Sequence, residues 1–311
     1  MRIALDAMGG DNAPVETIKG AVAALSEIEK LQLVLVGKKE VIEAELSKYK
    51  YSKERIEIVD TREVIEMTDD PVTAVKTKKD SSMNKTLELA KEGIVDASVS
   101  AGNTGALITA SQLKLKRIKG VLRPAIATMF PNKKGHMLML DVGATADCKP
   151  EFLNQYAMMG AKYVEILLGR KEPKVGLLNI GTEEGKGNEI TRGAYDLLKE
   201  NKMINFVGNV ESTEVMNGEI DVVVTDGFTG NMVLKTAEGI AKFVLSIIKT
   251  EIKKSIIYML GALLLRPALK MIKLKMDSSE YGGAYTILNK IFSFALSYPK
   301  ASTKFFTPCN V

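Results

Sequence analysis

Short apolar runs alternate along this chain with stretches whose apolar residues recur every three or four positions. Residues 2–8, 31–36, 56–59, 97–101, 125–130, 137–142, 175–180, 206–210 and 220–225 read as strands. Residues 14–25, 41–49, 86–92, 104–115, 150–168 and 189–200 carry the helical period. That alternation predicts an α/β fold with a largely parallel sheet and helices on both faces. Two successive strands joined by Asn132-Lys133-Lys134-Gly135 have no helix between them, which predicts a hairpin inserted in the sheet. With 311 residues, no internal repeat and no low-complexity linker, one continuous α/β body over 1–288 is expected.

The pattern changes between 229 and 276, where it is helical throughout. Val233, Ala237, Ile240, Val244, Leu245, Ile248 and Ile252 form one stripe, followed by a continuously apolar run over 256–265. The run is about half of the ~20 residues needed to span a bilayer, so it is not a transmembrane helix. Lys253 and Lys254 precede it, and Arg266, Lys270, Lys273 and Lys275 follow, an arrangement suited to anionic headgroups or an acidic carrier protein. Gly261 is placed to form a bend and Pro267 to start a returning helix. A helical hairpin over 229–276 is therefore expected to protrude. Its stripe would serve dimerisation, and its tip, with Ile256, Leu260, Leu263 and Leu264, would touch a membrane.

Composition narrows the class. Hydrophobic residues make up 46% and charged residues 26%, the balance of a globular protein rather than a disordered or polytopic one. The net charge of +5 is not arranged as a basic run interleaved with aromatics, so nucleic acid is not an expected partner. Cys148 and Cys309 are too few for a disulfide framework. The first residues lack the organisation of a secretory signal, and a cytoplasmic protein is expected, held peripherally at the membrane.

Four strand ends are rich in Gly with Asp, Asn or Thr. They are Asp6-Ala7-Met8-Gly9-Gly10-Asp11-Asn12, Ser100-Ala101-Gly102-Asn103-Thr104-Gly105, the stretch from Asn179 to Asn188, and Thr225-Asp226-Gly227-Phe228-Thr229-Gly230-Asn231. Glycine lets backbone N–H groups approach an anion, and a following helix start adds donors and a favourable dipole. Each loop alone reads as a capped turn; four at equivalent places point to an anion site built from Asp6, Gly9, Gly10, Asp11, Gly102, Asn103, Thr104, Gly105, Asp226, Thr229 and Gly230. No loop reads G-x-G-x-x-G, and the 181–187 segment has the wrong spacing for a Walker loop, so neither dinucleotide nor nucleotide-hydrolysis chemistry is expected. His136 is the sole histidine, which leaves little room for a histidine-based triad, and no metal or other cofactor is called for. Phosphate is already anionic at neutral pH, so its attack on an acyl carbonyl needs positioning and oxyanion stabilisation rather than a protein base. Lys186 suits the phosphate, and Asn231 suits either the phosphate or the oxyanion. On local sequence each has an equal alternative, a solvated loop lysine and a helix-capping asparagine.

The opening residues 2–14, with 100–106, 179–187 and 226–231, resemble in order the acyl-acyl carrier protein:phosphate acyltransferase family. The resemblance implies a fold similar to isocitrate dehydrogenase and phosphate acetyltransferase, a homodimer, and Lys186 with Asn231 as the catalytic pair. It further implies acyl carrier protein and inorganic phosphate as reaction partners. The acyl phosphate made would pass to a membrane glycerol-3-phosphate acyltransferase for phospholipid synthesis. Past Ala284 the family pattern is lost, and 289–311 is an atypical C-terminal segment in which Phe292, Phe294, Leu296 and Tyr298 alternate as in a strand. The competing readings are a phosphate acyltransferase for short acyl-coenzyme A, a non-catalytic membrane-associated scaffold of lipid synthesis, and, more distantly, an NAD-dependent dehydrogenase.

Overall fold

The computed structural model of the chain describes residues 1–117, 119–276, 284–288 and 291–295. They fall into two compact units, one built on 1–128 with 165–169 and the described residues from 284 onward, the other on 129–164 with 170–276.

The first unit is laid down as β1 (Arg2–Asp6), α1 (Val15–Glu27), β2 (Gln32–Gly37), α2 (Lys39–Leu46), β3 (Ile56–Asp60), α3 (Pro71–Thr77), α4 (Ser82–Lys91), β4 (Ala97–Ser100) and α5 (Thr104–Lys114). Its strands run parallel in the order β3-β2-β1-β4. Side chains alternate across a strand, and both faces here are apolar. Ala4, Val34 and Val36 pack with Met83, Leu87 and Leu107 from α4 and α5. Ile3, Leu5, Leu33 and Leu35 pack on the other side with Ile18, Leu25 and Ile42 from α1 and α2. Two covered faces are what a parallel sheet requires.

The second unit follows β5 (Ile126–Asn132), which turns through Lys133 and Lys134 into β6 (Gly135–Leu140), the expected hairpin. It continues with α6 (Pro150–Leu168), β7 (Lys174–Asn179), α7 (Glu189–Glu200), β8 (Asn205–Glu211), β9 (Val222–Val224), α8 (Gly227–Ile252), α9 (Ile256–Leu264) and α10 (Arg266–Met276). Strands β6, β9, β7 and β8 lie side by side and parallel. Met137, Leu138, Met139, Leu140, Val222, Val223 and Val224 are all fully buried, consecutive positions facing both ways into apolar surroundings. In the first unit, β10 (Ala284–Leu288) and β11 (Ile291–Ala295) form an antiparallel pair, with β11 parallel to β4 and β10 antiparallel to β5. The expected strand of alternating aromatics is met by β11; Leu296, Tyr298 and Cys309 lie outside the described residues.

All nine expected strands are present. Helix α3 was not expected. It is short, and it starts because Asp70 accepts the Thr73 N–H at 2.9 Å with Pro71 at the first helical position. Gly261 does not form a bend but lies inside α9; the chain breaks instead at Leu265, before Arg266 and Pro267.

Candidate active site

In the first unit the loops after β1 and β4 are in contact. The Ser100 hydroxyl donates to Asp6 Oδ2 at 2.7 Å and accepts the Gly102 N–H at 3.1 Å, while the Met8 N–H donates to Asp6 Oδ1 at 3.2 Å. A Cβ on Gly9 would stand 2.9 Å from the Gly102 nitrogen, and one on Gly10, at φ +103°, 2.9 Å from the Ala101 carbonyl oxygen. Glycine is required at both for these main chains to approach. Burial raises the Asp6 carboxyl above its ordinary value, against the opposing pull of Ser82, Ser100 and the N–H groups of Met8 and Gly9. Asn103 is engaged locally: its oxygen caps α5 through the Ala106 N–H at 3.0 Å, and its amide donates to the carbonyls of Met67 and Asp69. Gly105 lies against Pro71, and Asp11 and Thr104 are exposed.

In the second unit the loop after β7 is tied from within. The Asn179 carboxamide donates to the Lys186 carbonyl at 3.1 Å and to Asn209 Oδ1 at 3.0 Å, and Asn209 donates to the Glu183 carbonyl at 2.8 Å. Gly187, at φ +95°, has Thr191 and Asn179 where a side chain would go. These bonds fix the Lys186 backbone. Its ammonium group is half-exposed, 3.9 Å from the Glu183 carboxylate, so its charge remains open to solvent.

The loop after β9 starts α8. Asp226 is the N-cap, accepting the Thr229 N–H at 2.8 Å on one oxygen and the Thr229 hydroxyl at 2.7 Å on the other. The capping role open to Asn231 therefore belongs to Asp226, and Asn231 sits one turn into the helix. Its exposed carboxamide faces Gly143, where an added Cβ would come to 3.9 Å, and, among the described residues, takes no hydrogen-bond partner. Lys186 and Asn231 thus present polar groups from the ends of two strands of the same sheet.

A fifth loop, not singled out from sequence, completes this region. Asp141, fully buried after β6, accepts the N–H groups of Gly143 (3.1 Å), Ala144 (3.0 Å) and Thr145 (2.8 Å). The Thr145 carbonyl accepts the Gly227 N–H at 2.9 Å, joining the loop to the start of α8, and the Thr145 hydroxyl accepts that of Tyr156 at 3.2 Å. An Asp followed two positions later by Gly, directly after an apolar strand, was the available signal; β1 ends in a similar way, with Gly9 three positions after Asp6. Close by, burial pushes the Cys148 thiol up to about 12, with the charges of Asp226 and Asp141 adding, so it is no thiolate nucleophile at neutral pH. Among the described residues no three His, Cys, Asp or Glu side chains are grouped to hold a metal ion.

The far end of the helical segment is apolar and open. Ile256, Leu260 and Leu264 recur at four-residue spacing on α9 and are exposed, Leu264 by 84%. Leu263 is also exposed, and with Leu245, Ile248, Ile252 and Leu269 it lines a groove of 710 Å³ among α8, α9 and α10. Among the described residues no helix is long and apolar enough to cross a membrane.

Comparison with known proteins agrees with this picture. A family model described as "Fatty acid synthesis protein" matches residues 1–289. A phosphate acyltransferase of Fusobacterium nucleatum is 64% identical over 285 residues, 91% of this chain and 86% of that protein. One of Clostridium kluyveri is 50% identical over 284 residues, 91% and 84% of the two chains. Among solved structures, a phosphotransacetylase from Streptococcus pyogenes superposes with a TM-score of 0.59 at 17% identity, covering 78% of this chain and 82% of its own. A branched-chain phosphotransacylase from Enterococcus faecalis does so with 0.55 at 13% identity, covering 97% and 95%. The solved structures share the fold, and the sequence relatives carry the kinship: the chain belongs to the phosphate acyltransferase family and is an acyltransferase.

Proposed function

We propose that this acyltransferase takes a fatty acyl group from acyl carrier protein, transfers it to inorganic phosphate, and delivers the acyl phosphate to a membrane glycerol-3-phosphate acyltransferase. The observation that carries the catalytic part is the Asn231 carboxamide, exposed at the start of α8 and relieved of capping by Asp226. A phosphate oxygen attacks the thioester carbonyl carbon, the carbonyl oxygen becomes an oxyanion, and collapse of the tetrahedral species breaks the C–S bond and releases the carrier thiolate. Asn231 donates to the developing oxyanion, where a preorganised donor contributes most. Lys186 neutralises the incoming phosphate as a point charge on a fixed backbone.

The helical segment supports the lipid side of this reading. Ile256, Leu260 and Leu264 present an apolar stripe to a bilayer surface, with Lys253, Lys254 and Arg266 near anionic headgroups. Ile240, Phe243, Val244 and Ile247 are exposed on α8 and offer a second copy of the chain an apolar face.

The test is phosphate-dependent release of free carrier protein from palmitoyl-acyl carrier protein, run beside acetyl-coenzyme A as donor. Lys186→Ala should keep the fold and lose acyl phosphate formation. Full activity in that variant removes Lys186 from the reaction, and preference for acetyl-coenzyme A replaces the fatty acyl donor by a short one.

A further inference from the structure

The corner where β6 ends and α8 begins contains a buried carboxylate to which the reaction above gives no task. Asp141 has no exposure, so it touches no substrate. It instead turns three successive N–H groups, those of Gly143, Ala144 and Thr145, inward onto its own oxygens. N–H groups at the carboxyl end of a strand are ordinarily the ones free to meet an anion. Here they are occupied, as are the Gly227 N–H on the Thr145 carbonyl and the Thr229 N–H on Asp226. The exposed Asn231 carboxamide is a donor that this arrangement leaves open.

The same arrangement fixes Asn231 in space. A Cβ on Gly227 would stand 2.8 Å from both Asp141 Oδ2 and the Thr145 nitrogen, and one on Gly230 would overlap the Asp141 carbonyl oxygen. The first turn of α8 therefore rests on the 141–145 loop without a gap. Gly143, at φ +139° with its N–H on Asp141, faces the Asn231 side chain: a Cβ added there would stand 3.9 Å from the carboxamide carbon and oxygen. Movement of the loop moves the main chain that the Asn231 carboxamide faces and on which the first turn of α8 rests.

The geometry points to Asp141 as the positioning residue for Asn231: its carboxylate, held by three backbone N–H groups, locks the 143–145 loop against the start of α8 and so sets the direction of the Asn231 carboxamide. This rests on Asn231 being the oxyanion donor. Exchanging the carboxylate for a carboxamide puts an NH₂ group against N–H donors and leaves at least one of them unpaired. The loop then relaxes, and a misplacement near 1 Å at a catalytic group costs on the order of 100-fold in rate.

The deciding experiment is a double-mutant cycle on the full chain, reading kcat and the KM for phosphate in palmitoyl transfer. Asp141→Asn should lower kcat on the order of 100-fold with the KM for phosphate unchanged. In the Asn231→Ala background the same change should cost nothing further, because the group it positions is gone. Additive losses would mean that Asp141 acts on the fold generally and would overturn the proposal. Full activity in Asp141→Asn, with Asn231→Ala inactive, would overturn it and leave the oxyanion role standing. Full activity in Asn231→Ala would instead remove the oxyanion role, and a loss in Asp141→Asn beside it would show that Asp141 does not act through Asn231. Should Asp141→Asn fail to fold, Tyr156→Phe removes a hydroxyl bonded to Thr145 on the same loop. The side-chain amide resonance of Asn231, assigned by its absence in Asn231→Ala, should shift in Tyr156→Phe, and the cycle is repeated with that variant. An unmoved resonance with unchanged kcat overturns the coupling between loop and carboxamide.

Discussion

The two ends of the helical segment that starts with α8 meet their surroundings in opposite ways. At the start, Gly227 and Gly230 have no room for a methyl group, and every N–H noted above has a stated partner. By Gly239 there is nothing within 4 Å of where a Cβ would stand, and the same holds for Gly261 in α9. Beyond them, Ile256, Leu260 and Leu264 lie open to solvent. The contrast separates two kinds of specification. At the start, shape is set by main chain fitted to main chain, and the role proposed for one carboxamide depends on it. At the far end little is fitted, and what matters is apolar area awaiting a surface.

Three measurements break or sharpen that contrast. The largest effect is expected at the open end. Leu260→Glu with Leu264→Glu should abolish binding to anionic vesicles, since each buried leucine side chain contributes about 1.5–3 kcal/mol. Transfer in solution and the urea midpoint should be unchanged; vesicle binding equal to that of the parent chain would take the bilayer away from this stripe. Next comes the fitted end. Gly230→Ala should destabilise the fold by about 1–3 kcal/mol in urea unfolding, because the overlap with the Asp141 carbonyl forces a backbone shift. Acyl transfer should fall with it, and a parent-like midpoint would mean that the corner is looser than drawn. The smallest effect has the opposite sign. Gly239→Ala should stabilise by about 0.5–1 kcal/mol, since alanine restricts the unfolded chain and meets no neighbour in the helix. A loss of stability or of self-association there would reveal a partner surface packed close on α8.

How far these features could be read from sequence depends on their range. The nine strands carry their own signal, because apolar runs bounded by turn residues need no knowledge of neighbours. The glycine loops were legible for the same reason, each following a strand and preceding a helix. Helix α3 was not, since seven residues with two valines and two threonines give no helical period and only the cap at Asp70 marks it. The role of Asp141 was hidden for another reason. In sequence it closes an apolar strand, and its significance lies in Gly227 and Gly230, more than eighty positions away. Asn231 shows the same limit. Its capping role stayed open in sequence until Asp226, five residues earlier, was seen to hold the Thr229 N–H.

The fit of Gly227 and Gly230 against the Asp141 loop also bears on how this corner could change under selection. Both glycines are buried and have no room for a larger side chain, so a substitution at either would have to add atoms where none fit. Each such change would have to displace the main chain of the 141–145 loop with it. Side-chain contacts are easily traded under selection; this corner offers few to trade.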